Sequence, residues 1–290
     1  MSYALEIKDL NKWFGKIQAI DNFNIRLEEN KIYGLLGRNG AGKTSLLKLI
    51  AAQYVKNSGS IKVFGEEVFE NEKALSKICF VNDENSFISN LTVGEIFNIS
   101  KIFYNNWDDE FKEELVQKFD LDLKRKYGEL SKGMRSAVAI VVGLSSRAEL
   151  TIYDEAYSGL DAAAREIFYD ELLKDYGENP RTIIFSTHLI DEVSKIFEST
   201  IIIDRGRLKL FEDCDELREK AFYIMGNKNK LNAALKNAKV IHREEFGETL
   251  KAAIFEEKDK TFKQSLKNEG FEISALPLQK LFVYVTKGSD

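Results

Sequence analysis

The sequence predicts an α/β chain built on an open, mostly parallel sheet, with a smaller α+β segment towards its end. Three observations carry this. A short apolar run, IYGLL, leads into a glycine-rich turn and then into SLLKLIA, whose apolar positions recur at helical spacing. Three further apolar runs of strand length, ICFV (78–81), LTIY (150–153) and TIIF (182–185), end abruptly in polar residues. Charged stretches with helical spacing lie among them, NWDDEFKEELVQKFDLDLKRK being one, and their charges read as a solvated helix face.

In chain order, the first element with specific chemistry is the turn itself. Gly37, Gly42, Lys43 and Thr44 fall in the pattern G-x-x-x-x-G-K-[ST] between a strand and a helix. Such a turn lets successive backbone N–H groups, here those of Gly37 and of Asn39 through Ser45, point inwards around phosphate oxygens. The helix that follows adds its positive end. Lys43 is placed for the β- and γ-phosphates, and the Thr44 hydroxyl for Mg²⁺. The expectation is a P-loop NTPase that binds a nucleoside triphosphate.

The three later strands run into Asn82-Asp83-Glu84, Asp154-Glu155 and Ser186-Thr187-His188. In an open parallel sheet ligands collect beyond the carboxyl ends of the strands, so these residues are expected on one rim with the turn. Asp154 would hold Mg²⁺ at the end of a buried strand. Glu155, pointing elsewhere because strand neighbours alternate, would orient or deprotonate an attacking water. Adjacent acids on their own more often sit on solvated loops, and a single histidine is more often structural; the neighbouring phosphate loop favours the functional reading of Asp154, Glu155 and His188. His188 would touch the γ-phosphate and that water. Ser131 and Gly133 in LSKGMR stand at the mouth of a helix continuing through SAVAIVVGLSS, which suggests an anion seat, although six such residues alone read equally well as a helix cap.

Composition narrows the class. Hydrophobic residues make up 44% and charged residues 31% of 290 residues, the balance of a globular protein with a sizeable core. A net charge of −5 gives no broad basic face, so no nucleic-acid partner is expected. Ser136 to Ser146, the longest uncharged run, is about half the ~20 residues a bilayer span needs, and Glu6, Lys8 and Asp9 interrupt any early signal core. The chain is therefore expected in the cytoplasm unless a partner holds it at a membrane. Two distant cysteines, Cys79 and Cys214, read as reduced thiols, and two histidines leave little for a zinc site.

The ordered set of Gly37–Thr44, Leu130–Arg135, Asp154-Glu155, Ser158-Gly159-Leu160-Asp161 and His188 resembles the nucleotide-binding subunit of an ABC transporter, over roughly residues 1–218. The resemblance implies the ABC type of P-loop ATPase fold, with an antiparallel β subdomain, a helical subdomain at about 85–150 that carries the signature, and ATP and Mg²⁺ as ligands. LNKWFGKIQAIDNFNIRLEEN resembles the antiparallel front strands of such domains, where an aromatic stacks on adenine. Phe14 matches that position best and Trp13 is the other candidate; ordinary core packing is the plain alternative for either ring. The resemblance further implies that Ser131 and Gly133 face the γ-phosphate bound by a second subunit, and that Asp161 joins the nucleotide site. ATP would then hold together a head-to-tail homodimer, or a pair with a paralogous ATPase subunit. Hydrolysis would drive separate transmembrane permease subunits, with the chain peripheral on the inner face of the membrane.

Three departures from the family pattern stand out. Asp83 occupies the position of a usual Gln and is expected as a metal ligand; Ala156 replaces a common Pro; and the signature reads LSKGM, with Lys132 and Met134 at variant positions. Residues 219–290 alternate apolar runs (FYIM, AAIF, LFVYV) with helical segments (NKNKLNAALKN, KDKTFKQSLKNEG) and are expected to form a small α+β accessory domain with His242 and its lysines at the surface. LSKGM and this tail suggest a bacterial ABC-2-type exporter. Two other classes stay open: a soluble ABC-type ATPase acting on ribosomes or DNA, and a weakly hydrolytic, nucleotide-gated regulatory module.

Overall fold

The structure, a computed structural model, describes residues 2–82, 87–256 and 260–287. Asp83 and Glu84 lie outside the described residues. The chain divides into two compact units, one of Met1–His188 with Ile201–Leu210 and the other of Leu189–Thr200 with Phe211–Asp290.

The first unit opens with two long strands, β1 (Tyr3–Phe14) and β2 (Ile17–Glu28), then β3 (Ile32–Leu36) and α1 (Lys43–Ile50). β4 (Ser58–Val63), β5 (Glu66–Glu67), α2 (Glu72–Leu75) and β6 (Ile78–Asn82) follow. α3 (Val93–Phe103), α4 (Asp109–Lys118) and α5 (Lys132–Ser145) precede β7 (Leu150–Asp154), α6 (Ala162–Glu178) and β8 (Thr182–Ser186). A single helical turn of the second unit, α7 (Ile190–Val193), precedes β9 (Ser199–Asp204) and β10 (Arg207–Asp213) in the chain. LIDEVSKIF is thus helical for only four residues.

Among the described residues, β2-β1-β4-β5 form one sheet and β10-β9-β3-β8-β7-β6 a second. β1 pairs antiparallel with β2 and β4, whereas β3, β8, β7 and β6 pair in parallel. β3, β7 and β8 are buried at every position, which is why their sequences read as unbroken apolar runs. Leu5, Ile7, Phe23, Leu46, Ile152 and Ile203 belong to one apolar cluster, so both sheets share a core. The parallel pairings place the carboxyl ends of β3, β6, β7 and β8 on one rim.

The helical segment is anchored by charge. Asp108, the N-cap of α4, pairs with Arg147 at 2.6 Å. Arg147 also reaches Asp175 of α6 at 2.8 Å, and Arg181 meets the same carboxylate at 2.6 Å. The side chains of Asp175 and Arg181 are 2% and 4% exposed, so neither charge has water as an alternative partner. Thr92 and Glu95 close a reciprocal cap at the start of α3.

In the second unit, α8 (Cys214–Lys220) precedes β11 (Ala221–Asn227), α9 (Lys228–Ala234), β12 (Val240–Phe246), β13 (Thr249–Phe255), α10 (Lys260–Asn268), β14 (Glu272–Ala275) and α11 (Leu278–Lys287). The order β-α-β-β-α-β with sheet order β12-β13-β11-β14 is a ferredoxin-like split βαβ arrangement. Its core includes Phe222, Ile224, Leu231, Leu250, Ile254 and Leu266. Two details differ from the sequence reading. LFVYV is not a strand but the middle of α11: Leu281 and Tyr284 are buried at i, i+3 spacing. His242 is not a bare surface residue, since its ring stacks on Tyr284 at 4.1 Å and its Nε2 lies 3.0 Å from Glu244.

Candidate nucleotide site

β3 delivers the chain into the loop of Gly37–Gly42, and two glycines there are fixed by their surroundings. A Cβ on Gly37 would lie 2.7 Å from the Ile203 carbonyl, and one on Gly42 2.6 Å from that of Ala19. Gly42 is also left-handed, with φ 105°, as it caps α1. Gly206 braces the loop from below: its N–H donates to the Ala41 carbonyl at 2.9 Å, and its own carbonyl accepts from Asp21 N–H at 3.0 Å. The cradle is therefore preformed by backbone packing.

Lys43 is buried and its Nζ donates to the Gly37 carbonyl at 2.7 Å, so the ammonium lies across the loop. Burial pushes its pKa below the ordinary lysine value, against the opposing pull of Glu155 and then Asp154. The ammonium is held in a poorly solvated position where phosphate oxygens would stabilise it.

Asp154 ends β7 and is only 4% exposed. Burial raises its carboxyl pKa, while the Ser186 and Thr44 hydroxyls facing it work the other way. Its Oδ1 reaches no hydrogen-bond partner among the described residues. A buried, unpartnered carboxylate oxygen beside a threonine hydroxyl fits a hard cation. Among the described residues no group of three or more His, Cys, Asp or Glu side chains forms a metal cage. Mg²⁺ suits such a sparse set, because it keeps waters and takes one or two carboxylates together with substrate phosphates. Thr44 and Asp154 are the residues that fit it.

Glu155 does not simply alternate out of the strand. β7 stops at Asp154, and Glu155 turns through the left-handed region at φ 52° with its N–H donating to the Ser186 carbonyl at 3.1 Å. That turn, uncommon for a non-glycine residue, brings its carboxylate back over the rim. Glu155 Oε2 lies 3.3 Å from His188 Nδ1. Behind His188, the Tyr157 hydroxyl bonds to Thr187 Oγ1, and the Tyr157 ring sits 6.4 Å from the imidazole. Tyr157 and Thr187 are both buried and fix the segment from which His188 projects. Apolar spacing at 157 carried no sign of that support.

These elements surround one cleft, lined by Ile17, Gln18 and Ala19 of β2, by Arg38 through Ser45, and by Asp154 and Glu155. The predicted residues Asn39, Gly40, Ala41, Gly42, Lys43, Thr44 and Ser45 thus converge with the acidic pair. Ile17, Gln18, Ala19 and Arg38 were not foreseen. Arg38 sits at a free position of the loop pattern, and the β2 residues reach the cleft only through the hairpin.

Phe14 does not line the cleft. It ends β1 opposite Ile17, is 41% exposed, and meets Tyr54 edge-on at 5.2 Å with Lys12 Nζ 4.8 Å from its ring centre. Trp13 pairs with Gln18 in the same hairpin.

Ser131, Gly133 and Asp161 lie elsewhere, in a second cluster. Ser131 caps α5, its Oγ accepting from Met134 N–H at 3.2 Å. A Cβ on Gly133 would lie 2.9 Å from the Gly159 carbonyl, and one on Gly159 would meet Ser136 Oγ at 2.5 Å. The two glycines let the start of α5 seat directly against the Ser158–Asp161 turn. Asp161 caps α6, with Oδ1 accepting from Ala164 N–H at 2.8 Å. None of the three lines the phosphate-loop cleft.

Comparisons with known proteins agree with this architecture. The profile of the family described as ABC transporter matches residues 20–158. The ABC transporter ATP-binding protein YtrB of Bacillus subtilis (strain 168) is 25% identical over 282 residues, 96% of this chain and 97% of that protein. The bacitracin transport ATP-binding protein BcrA of Bacillus licheniformis is 31% identical over 225 residues, covering 76% of this chain and 73% of that protein. Among solved structures, an ATP-binding subunit of an ABC transporter superposes with a TM-score of 0.68 at 24% identity, over 74% of this chain and 92% of that one. A dimeric ATP-binding cassette in a post-hydrolysis state with ADP and Pi gives 0.64 at 22% identity, over 72% and 98%. With its phosphate loop, acidic strand end and signature in this order and fold, the chain belongs to the ABC transporter ATP-binding protein family and is an ATPase.

Proposed function

We propose that the chain is the MgATP-hydrolysing subunit of a bacterial exporter, working as a dimer beneath separate permease subunits. The observation that carries this is the split between the two clusters. Lys43, Thr44, Asp154 and Glu155 line a cleft that holds no signature residue. Ser131 and Gly133 stand apart at the N-terminus of α5, whose positive end favours an anion. Two copies arranged head to tail would give each cleft a signature from the other.

In this reading Lys43 binds the β- and γ-phosphates and the loop N–H groups hold the rest of the chain of phosphates. Mg²⁺, held by Thr44 and Asp154 with Asp83 as a third candidate, would supply charge neutralisation on the phosphate oxygens. Glu155 accepts a proton from a water as that water bonds to the γ-phosphorus and the bond to the β,γ-bridging oxygen breaks, leaving ADP and phosphate. His188 steadies Glu155 and the γ-phosphate. Ser131 and Gly133 of the second copy stabilise the charge on the γ-phosphoryl group. Phe14 remains the candidate for the adenine ring and Asp161 for a contact across the dimer.

Permease docking is assigned to an apolar groove in the helical segment, lined by Phe87, Ile88, Leu91, Ile99 and Phe103. Ile88 and Phe103 are 68% and 65% exposed, a large apolar area for a surface to leave uncovered. Among the described residues no helix is long and apolar enough to cross a membrane, so a separate spanning subunit would hold the chain at the inner face. Transport is supported by the likeness to a bacitracin transport ATP-binding protein, and the export direction is our reading of LSKGM and the tail. We assign residues 1–218 to the ATPase domain, about 85–150 to its helical subdomain, and 219–290 to the accessory domain. Gel filtration of the wild-type chain with MgATP, alongside phosphate release, tests the reading: a dimer that forms with ATP and dissociates on turnover is expected.

A further inference from the structure

We infer that Asn82 is a further positioning residue of the metal–nucleotide site, its carboxamide receiving a hydrogen bond from a water on the cation that Asp154 and Thr44 would hold. This rests on the MgATP reading above. The starting point is strand register. Asn82 pairs with Asp154, and Asp154 with Ser186, across β6, β7 and β8. Residues at paired positions of parallel strands, about 4.8 Å apart, project from the same face of the sheet. Ser186 pairs in turn with Leu35, two positions before Gly37, so the polar row runs straight to the phosphate loop.

The row is out of place in the core. The rest of β6 is the apolar Ile78, Cys79, Phe80 and Val81, so Asn82 is the strand's one strongly polar side chain. Asn82 is instead a carboxamide, 8% exposed, whose Oδ1 meets no hydrogen-bond partner among the described residues. Buried amide oxygens are almost always bonded, so this one points to something the described residues do not provide. Its neighbour Asp154 has the same vacancy at Oδ1. Two unpartnered oxygens on residues at paired strand positions, one charged and one neutral, suit a hydrated cation: the carboxylate opposes the ion's charge, and the amide oxygen accepts from a polarised water.

The test uses the full chain with Mn²⁺ and a non-hydrolysable ATP analogue, reading free Mn²⁺ by electron paramagnetic resonance and nucleotide-free melting in parallel. Asn82→Leu is expected to weaken Mn²⁺ about tenfold, as loss of an outer-sphere partner does. Its nucleotide-free melting temperature should hold or rise, because an unpartnered buried amide has been removed. Asp154→Asn serves as the reference. If it weakens Mn²⁺ while Asn82→Leu leaves the affinity within about twofold, the inference is overturned and the site reading stands. If Asp154→Asn also has no effect on Mn²⁺, the site reading itself falls. Should the leucine variant not fold, Asn82→Asp replaces it: a second carboxylate beside Asp154 is expected to tighten Mn²⁺ and lower nucleotide-free stability, and unchanged Mn²⁺ affinity would overturn the inference.

Discussion

Glu155 Oε2 and His188 Nδ1 lie 3.3 Å apart, joining the turn after β7 to the end of β8. The contact depends on the left-handed backbone at Glu155 and on the Tyr157–Thr187 bond behind His188. Glu155→Gln keeps the shape but removes the base. Phosphate release is expected to fall about a hundredfold or more while ATP binding persists. An ATP-held dimer should accumulate on gel filtration; unaltered turnover would remove Glu155 from its role.

Lys43 gives a pH dependence of definite sign. Its folded-state pKa lies below the unfolded value, so burial makes the charged form costly to the nucleotide-free fold, and that cost is relieved as pH rises through the folded pKa. Phosphates favour the charged form. ATP affinity measured by calorimetry should therefore fall as pH rises through the folded pKa, with proton uptake on binding in that range. Lys43→Ala should abolish tight binding and flatten the profile.

Asp154 predicts a trade between stability and function. Burial raises its carboxyl pKa, so the ionised form weakens the nucleotide-free fold above the folded pKa, and the penalty disappears as pH falls through it. Asp154→Asn should raise the nucleotide-free melting temperature by a few degrees at neutral pH, roughly 1 kcal/mol for a chain of this size. The gain should shrink on acidification. Mg²⁺-dependent turnover should be lost.

The buried charges of Asp175 and Arg181 cannot be split cheaply. Arg181→Ala leaves Asp175 with Arg147 as its cationic partner and the Asn179 amide as a neutral one, and Asp175→Asn leaves Arg181 without its carboxylate. Either is expected to cost about 3–5 kcal/mol in urea unfolding. A loss under about 1 kcal/mol would contradict the burial of this pair.

Much of the site was legible because buried parallel strands have a simple signature. IYGLL, ICFV, LTIY and TIIF are apolar on both faces, so their ends, and the chemistry attached there, can be placed by eye. The glycines of the loop were legible as pattern, but the reason for them was not: Gly37 is pressed by Ile203 and Gly42 by Ala19, contacts distant in sequence. The place of Glu155 at the end of LTIY was legible, but its backbone conformation was not, since a left-handed turn leaves no mark on residue type. LFVYV misled because five apolar residues suit a strand and a buried helix face equally. His242 gave no hint of its Tyr284 partner, which lies over forty positions away on α11.

The account depends most on one site being assembled from two chains. Lys43→Ala and Ser131→Ala variants, each inactive alone, should be mixed under conditions that exchange subunits, and phosphate release measured. The heterodimer holds one site with both defects and one with neither, so turnover should reappear on mixing. Activity that stays at the level of the separate variants, with exchange verified, would contradict a shared site.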